Sequence, residues 1–192
     1  MVSVNAQKTP AEQEAEGVKK YIIDRSKIML EKLKSKSPLK WNAKALIFAF
    51  TGGFVTIFSL TVLTNITEFI FIMAPFGASC VLAFAAWESP LAQPRNIIGG
   101  HFISALTGLI VLHIFGNQPW TIALAVGLAI ALVVLTKTTH PPAGADPILI
   151  ITTNAAWNFL LFPVLTGTII LTTIAIILNR FLFKREYPKF WY

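Results

Sequence analysis

Apolar residues run through this chain in long blocks, and the blocks predict six membrane segments. Ala45–Thr64 is the first. Twenty residues at 1.5 Å each span a hydrocarbon core about 30 Å thick. Phe69–Trp87 follows, mostly apolar but broken by Pro75 and Gly77. Ile97–Phe115 and Trp120–Thr136 are uninterrupted. Then comes Thr139-His140-Pro141-Pro142-Ala143-Gly144-Ala145-Asp146-Pro147, with the apolar run Ile148–Ile151 directly behind it. Adjacent prolines remove backbone donors and clash with the preceding turn, so no regular helix passes through. Asp146-Pro147 predicts a fresh helix start, with the carboxylate as cap and proline in the first turn. Phe159–Leu178 is the last block.

Small residues recur four apart on two of these blocks: Ala45, Ala49 and Gly53, then Gly100, Ser104 and Gly108. Such stripes let helices approach closely, within one chain or between copies, so a homo-oligomer is open. Ahead of the first block, Ala11 to about Ser35 predicts a helix. Val18, Tyr21, Ile22, Met29 and Leu33 alternate there with Lys19, Lys20, Arg25, Lys27, Lys32 and Lys34. A basic amphipathic helix of this kind lies on an anionic bilayer or packs on a protein neighbour. Ser37-Pro38 ends it, and Lys40, Trp41 and Lys44 mark an interface.

Charge decides the class. Residues 1–44 hold ten of the sixteen Lys and Arg and five of the nine Asp and Glu. From Ala45 to Asn179 the ionisable acids and bases other than histidine are Glu68, Glu88, Arg95, Lys137 and Asp146. No soluble domain is surfaced with so few. The net charge of +7 flanks membrane segments, which is better explained by the positive-inside rule than by nucleic acid. Six crossings put both basic termini, Arg95 and Lys137 on the cytoplasmic side. The loops near 65–68, 116–119 and 154–158 carry no Lys or Arg. Four full spans with two re-entrant segments remain an alternative, in which Arg95 and Lys137 lie outside. Glu12, Glu14 and Glu16 precede any apolar run, which is unlike a signal or transit peptide. A bacterial inner membrane is the default and a trimmed organellar protein the alternative. One cysteine, Cys80, and three scattered histidines predict no disulfide, metal site or other cofactor.

The chain also matches itself at an offset of 67 residues. Pro75-Phe76-Gly77-Ala78-Ser79 falls on Pro142-Ala143-Gly144-Ala145-Asp146, and Gly100 on Gly167. Three crossings per half would invert the halves. Paired interrupted segments in inverted halves point to a transporter's substrate site. Short helices are expected to start after Ser79 and after Asp146, with their N–H groups forming a midplane site for a small anion. The carboxylate of Asp146 weakens anion binding there if it caps its own helix; the alternatives are that it is protonated or turned away.

The same residues resemble the HPP family of integral membrane proteins. The likeness rests on residues 139–147, on Phe76-Gly77-Ala78-Ser79, on the run from Ser89 to Asn96, and on Gly99-Gly100-His101. It covers residues 43–180 and leaves out residues 1–42. It implies a nitrite carrier or channel of the cyanobacterial or chloroplast type, and a family description of four transmembrane helices.

The expected fold is therefore all-α: two inverted three-segment repeats with broken or half-membrane helices at 69–87 and 139–156, plus the N-terminal amphipathic helix. Its divisions are 1–42, a transmembrane domain over 43–183, and a basic aromatic tail over 184–192. Candidate pathway residues are Phe76 as a gate and Gly77, Ala78, Gly144 and Ala145 as close-approach backbone. Ser79 is a candidate anion donor. Arg95 and Asn96 lie at the inner mouth, unless Arg95 pairs with Glu88. His101 and His140 line the path or carry a proton, and Asp146 caps a helix or couples a proton. Thr138, Thr139, Thr152 and Thr153 line a path or bond back to their own helices. The leading function is passage of a small anion, nitrite first. Rivals are a channel for water or another neutral solute, and a membrane scaffold. An enzyme ranks last, because no nucleophile–base motif or paired carboxylates stand out.

Overall fold

The computed structural model describes residues 10–35 and 42–191. The proposed helix stop at Ser37-Pro38 and the interface residues Lys40 and Trp41 lie outside them. The chain divides into two compact units, Met1–Lys40 and Trp41–Tyr192. In the first, α1 (Pro10–Lys34) is a single helix with Lys32 and Lys34 in its last turn, next to the negative end of its dipole.

The second unit is built entirely of helices and loops among the described residues. The side chain of Asn42 accepts from the Ala45 N–H at 2.8 Å and starts α2 (Ala43–Ile66). A six-residue α-turn, Pro75–Cys80, runs on through a π-turn, Val81–Ala85; together they form α3, Pro75–Ala85. Next come α4 (Pro94–Phe115), ended by Gly116 at φ 74°, and α5 (Pro119–Leu135). A 3-10 turn over Pro141–Ala145 leads into α6 (Asp146–Thr152). The last helix, α7, covers Trp157–Leu182 and bends at Phe162, whose backbone is extended at φ −128° and ψ 116°. Among the described residues α2, α4 and α7 are long and apolar enough to cross a membrane. The central one is α4, the most enclosed of the three, which packs against α5, α6 and α7.

Side-chain contacts sort the loops into two ends. At one end Phe48 stacks on Phe183, and Arg185 Nη1 donates to the Phe84 carbonyl at 3.0 Å. The Tyr187 hydroxyl donates to the Ala92 carbonyl at 2.8 Å, and Arg95 Nη2 to the Thr136 carbonyl at 3.2 Å. At the other end Phe69 stacks on Phe162, His113 lies against Trp157, and Asn117 reaches Asn154. Both interrupted segments therefore run from one end of the bundle to the other. Lys44, Arg95, Lys137 and Arg185 all belong to the first end, whereas residues 64–71, 113–120 and 153–162 contain no Lys or Arg.

The short helices begin differently from expectation. The helix α3 starts at Pro75, not after Ser79, so Ser79 stands a full turn inside it. At the second break Asp146 is the first α-helical residue and makes no capping bond. Its carboxylate reaches across to another helix instead. At the far end of α3 the carbonyls of Ala83 and Phe84 are taken by Asn179 Nδ2, at 3.1 Å, and by Arg185. Burial lowers the Arg185 guanidinium from its usual pKa, and the nearby Glu88 carboxylate opposes the shift. The guanidinium also lies over Phe48, Phe183 and Trp87 at 5.1–5.3 Å, so the tail after α7 is packed onto the bundle.

Two glycines set how close the breaks come to the long helices. A Cβ on Gly100 of α4 would lie 2.8 Å from the carbonyl oxygen of Thr138. One on Gly167 of α7 would lie 2.7 Å from that of Phe71. Neither site has room for a side chain. The two glycines are 67 residues apart, and so are the two carbonyls.

Candidate functional site

Four polar side chains meet where the breaks cross α4. Ser79 comes from α3, His101 from α4, His140 from the stretch before the 3-10 turn, and Asp146 from the start of α6. All four are buried, with exposures of 0, 0, 1 and 0%. Such a cluster in an apolar interior persists only if its members satisfy one another. They do so as a chain. The Asp146 Oδ2 atom lies 2.7 Å from His101 Nδ1, and His101 Nε2 lies 2.9 Å from Ser79 Oγ. Ser79 Oγ is also 2.9 Å from His140 Nε2, and His140 Nδ1 is 2.8 Å from the Leu91 carbonyl. Ser79 has a third contact, its own helix's Pro75 carbonyl at 3.3 Å. The two imidazole rings sit 5.1 Å apart, and Phe76 packs edge-on to His101 at 5.4 Å.

The cluster draws on both halves of the chain. Ser79 and Asp146 are 67 positions apart, and they hold opposite nitrogens of one ring. Three of these contacts join residues 22, 45 and 61 positions apart. Ser79–His101–Asp146 also has the connectivity of a nucleophile, base and carboxylate, a pattern not visible in the sequence because the spacing is long.

Beside His140 is a cavity of about 350 Å³ between α4, α5 and the second break. Its wall is almost wholly apolar, built from valines and an isoleucine of α5, and Ser104, Thr139, His140 and Gly144 also border it. Ser104 is 1% exposed and its hydroxyl has no hydrogen-bond partner. An unsatisfied buried hydroxyl costs about 1–3 kcal/mol. The second oxygen of Asp146 is likewise unpartnered. In the sequence Ser104 stands out only as a member of a small-residue stripe.

The other sequence candidates sort by where they face. Phe76 is fully buried against His101 and Gly167, a packing residue rather than a gate standing in an open path. Gly77 and Ala78 are exposed on the outer side of α3, away from the cluster, and Ala145 is exposed on the second break. Ala78 and Ala145 line an outer groove of about 460 Å³ between the breaks. Gly144 lines the cavity. Arg95 does not pair with Glu88; it bonds the end of α5 through the Thr136 carbonyl. Asn96 is buried and donates to the Thr139 carbonyl at 2.9 Å, which ties α4 to the second break. Thr152 and Thr153 bond back to Ile148 and Leu149 of their own helix.

The expected N–H donors are also accounted for. Pro75, Pro141, Pro142 and Pro147 have none. Those of Phe76, Gly77, Ala143 and Asp146 go to the carbonyls of Met73, Ala74, His140 and Ala143. The two helix starts therefore present few free donors, and the polar groups aimed inward are side chains.

Comparisons with known proteins agree with a membrane role. The model of the HPP family's transmembrane region matches residues 38–188. A transmembrane protein of Dictyostelium discoideum is 37% identical over 169 residues, covering 82% of this chain and 54% of that protein. A second one from the same organism is 37% identical over 129 residues, covering 63% of this chain and 45% of its own length. The chain thus spans about half the length of these curated relatives. No solved structure matches it. On this evidence of family match, apolar helices and paired breaks, the chain belongs to the HPP family of integral membrane proteins.

Proposed function

We propose that this protein carries a small monovalent anion across the membrane, and that the site is the Ser79–His101–His140–Asp146 cluster with its adjoining cavity. The observation that carries this reading is the buried polar cluster itself, whose His140 borders the cavity. A small anion accepts hydrogen bonds from hydroxyls and imidazole N–H groups, and because both His140 nitrogens are engaged in the cluster it would take over one of those bonds. Nitrite is the expected substrate, on the family resemblance. The two halves form an inverted repeat around the site. The shared 67-residue spacing of the glycine clasps and of Ser79 and Asp146 supports this, as does the passage of each break from end to end. Both basic ends face the cytoplasm of a bacterial inner membrane, or the equivalent side of a chloroplast envelope. Cysteine labelling of Arg95→Cys from each side reads that orientation.

In reconstituted vesicles, nitrite uptake is expected to exceed that of empty vesicles and to fall at least tenfold in His140→Phe, which removes the donor and fills the cavity. No uptake by folded wild-type protein would end the transport reading. A second reading, an intramembrane hydrolase, is favoured by the Ser79–His101–Asp146 connectivity. Against it, Ser79 has no exposed surface, and His140 occupies its other face. A serine-directed fluorophosphonate is expected to leave Ser79 unlabelled; labelling at Ser79 would favour the enzyme.

A further inference from the structure

Counting donors along the cluster fixes how many protons it holds. A carbonyl can only accept, so the Leu91 contact requires a proton on His140 Nδ1. The 2.7 Å contact between Asp146 and His101 needs one proton, on either partner. Ser79 has one O–H to give and two lone pairs to receive with, and it has three contacts.

Two proton counts fit. In the first, Ser79 donates to one histidine and receives from the other. The cluster then holds four protons and is neutral, and the 3.3 Å approach to Pro75 is not a bond. Shifting each proton one place along the chain moves the acidic proton from Asp146 to His140 without changing the count. In the second, both imidazoles donate to Ser79 and Ser79 donates to Pro75. All three contacts are then bonds, His140 is an imidazolium, and the cluster holds five protons and one positive charge. Removing a proton from the four-proton state would set lone pair against lone pair and leave a buried negative charge, so that state is the lower limit.

The five-proton cluster is charged inside an apolar bundle. On its own that charge is costly. The elements packed around it supply no compensation. On α3 the neighbouring ionisable group is Cys80, which faces a different cavity with Ala49 and Gly53. On α4 the others are Arg95 and His113, at its two ends and bonded there to Thr136 and Leu109. The second break adds only Lys137, on its left-handed turn at the end of α5. The helices α5, α6 beyond Asp146, and α7 as far as Asn179 contain no other ionised residue. The cavity beside His140 is where an anion would neutralise the charge.

We infer that the cluster takes up one proton with each monovalent anion, so that the two cross together as a neutral pair. This inference rests on the transport reading. A proton alone leaves a buried positive charge and an anion alone a buried negative one, and this penalty on either separate state is the coupling. The proton passes between Asp146 and His140 through His101 and Ser79; no bond other than those to hydrogen changes.

The test is proton uptake on binding. Purified full-length protein in detergent, weakly buffered near neutral pH with an indicator dye, is titrated with sodium nitrite. Sodium chloride of equal ionic strength gives the baseline. About one proton is expected to disappear from solution per nitrite bound, with both saturating together. His140→Gln, checked for folding by its melting profile, loses the proton uptake. Nitrite binding without proton uptake would overturn this inference and leave anion transport standing. Absence of both nitrite binding and vesicle flux in folded protein would overturn the transport reading, and this inference with it.

Discussion

The two breaks in the bundle share a frame and differ in chemistry. Each begins at a proline, each crosses from end to end, and each is clasped by a glycine of a long helix against a backbone carbonyl. Yet the first break offers a hydroxyl at Ser79, and the second offers the Asp146 carboxylate and the His140 imidazole. Position 101 on α4 is a histidine, whereas its counterpart on α7, Thr168, only bonds back to Val164 and Leu165 of its own helix. The groups stand at matched spacings and differ in kind: a matched pair of carboxylates would repel, and a matched pair of serines would hold no exchangeable charge.

The comparison can be broken at the equivalent residues. Asp146→Asn keeps the size but ends the exchange of a proton with His101, so nitrite uptake is expected to fall to the level of empty vesicles, about 100-fold or more. Its counterpart, Ser79→Ala, keeps both imidazoles and removes the hydroxyl that bridges them, and is expected to lose about tenfold. Equal losses would show that the two breaks contribute alike. The glycine clasps form the next pair. Gly100→Ala and Gly167→Ala each drive a methyl group against backbone and should destabilise the protein by about 1–3 kcal/mol, seen as matched falls in thermal midpoint in detergent. A large effect at only one of them would count against the repeat. Arg185→Ala frees the carbonyl at the end of α3, and a loss of about 1–2 kcal/mol in the same assay is expected, with nitrite affinity unchanged. Thr152→Val and Thr153→Val remove bonds back to their own helix and should change stability and flux by less than about 0.5 kcal/mol equivalent.

Much of this was legible in the residues. Long apolar runs announced α2, α4 and α7, and proline with glycine announced both breaks, because both signals are local. Ser79, His101, His140 and Asp146 each stood out singly. Their meeting did not, since contacts across 22 to 61 positions leave no periodic trace. The offset of 67 contained a hint, for it aligned Ser79 with Asp146, but not that both would turn toward one histidine. The Asp146 cap was misjudged for a physical reason. Asp-Pro is a common helix start in water, where the carboxylate's best partners are its own N–H groups. Here the 3-10 turn already occupies the first donor, and a buried imidazole is the stronger partner.

The most direct test of the central claim is nitrite flux and charge movement recorded on the same vesicles. The account predicts uptake well above that of empty and Asp146→Asn vesicles, faster toward acid outside pH and with no matching current. A current equal to the nitrite flux would contradict it.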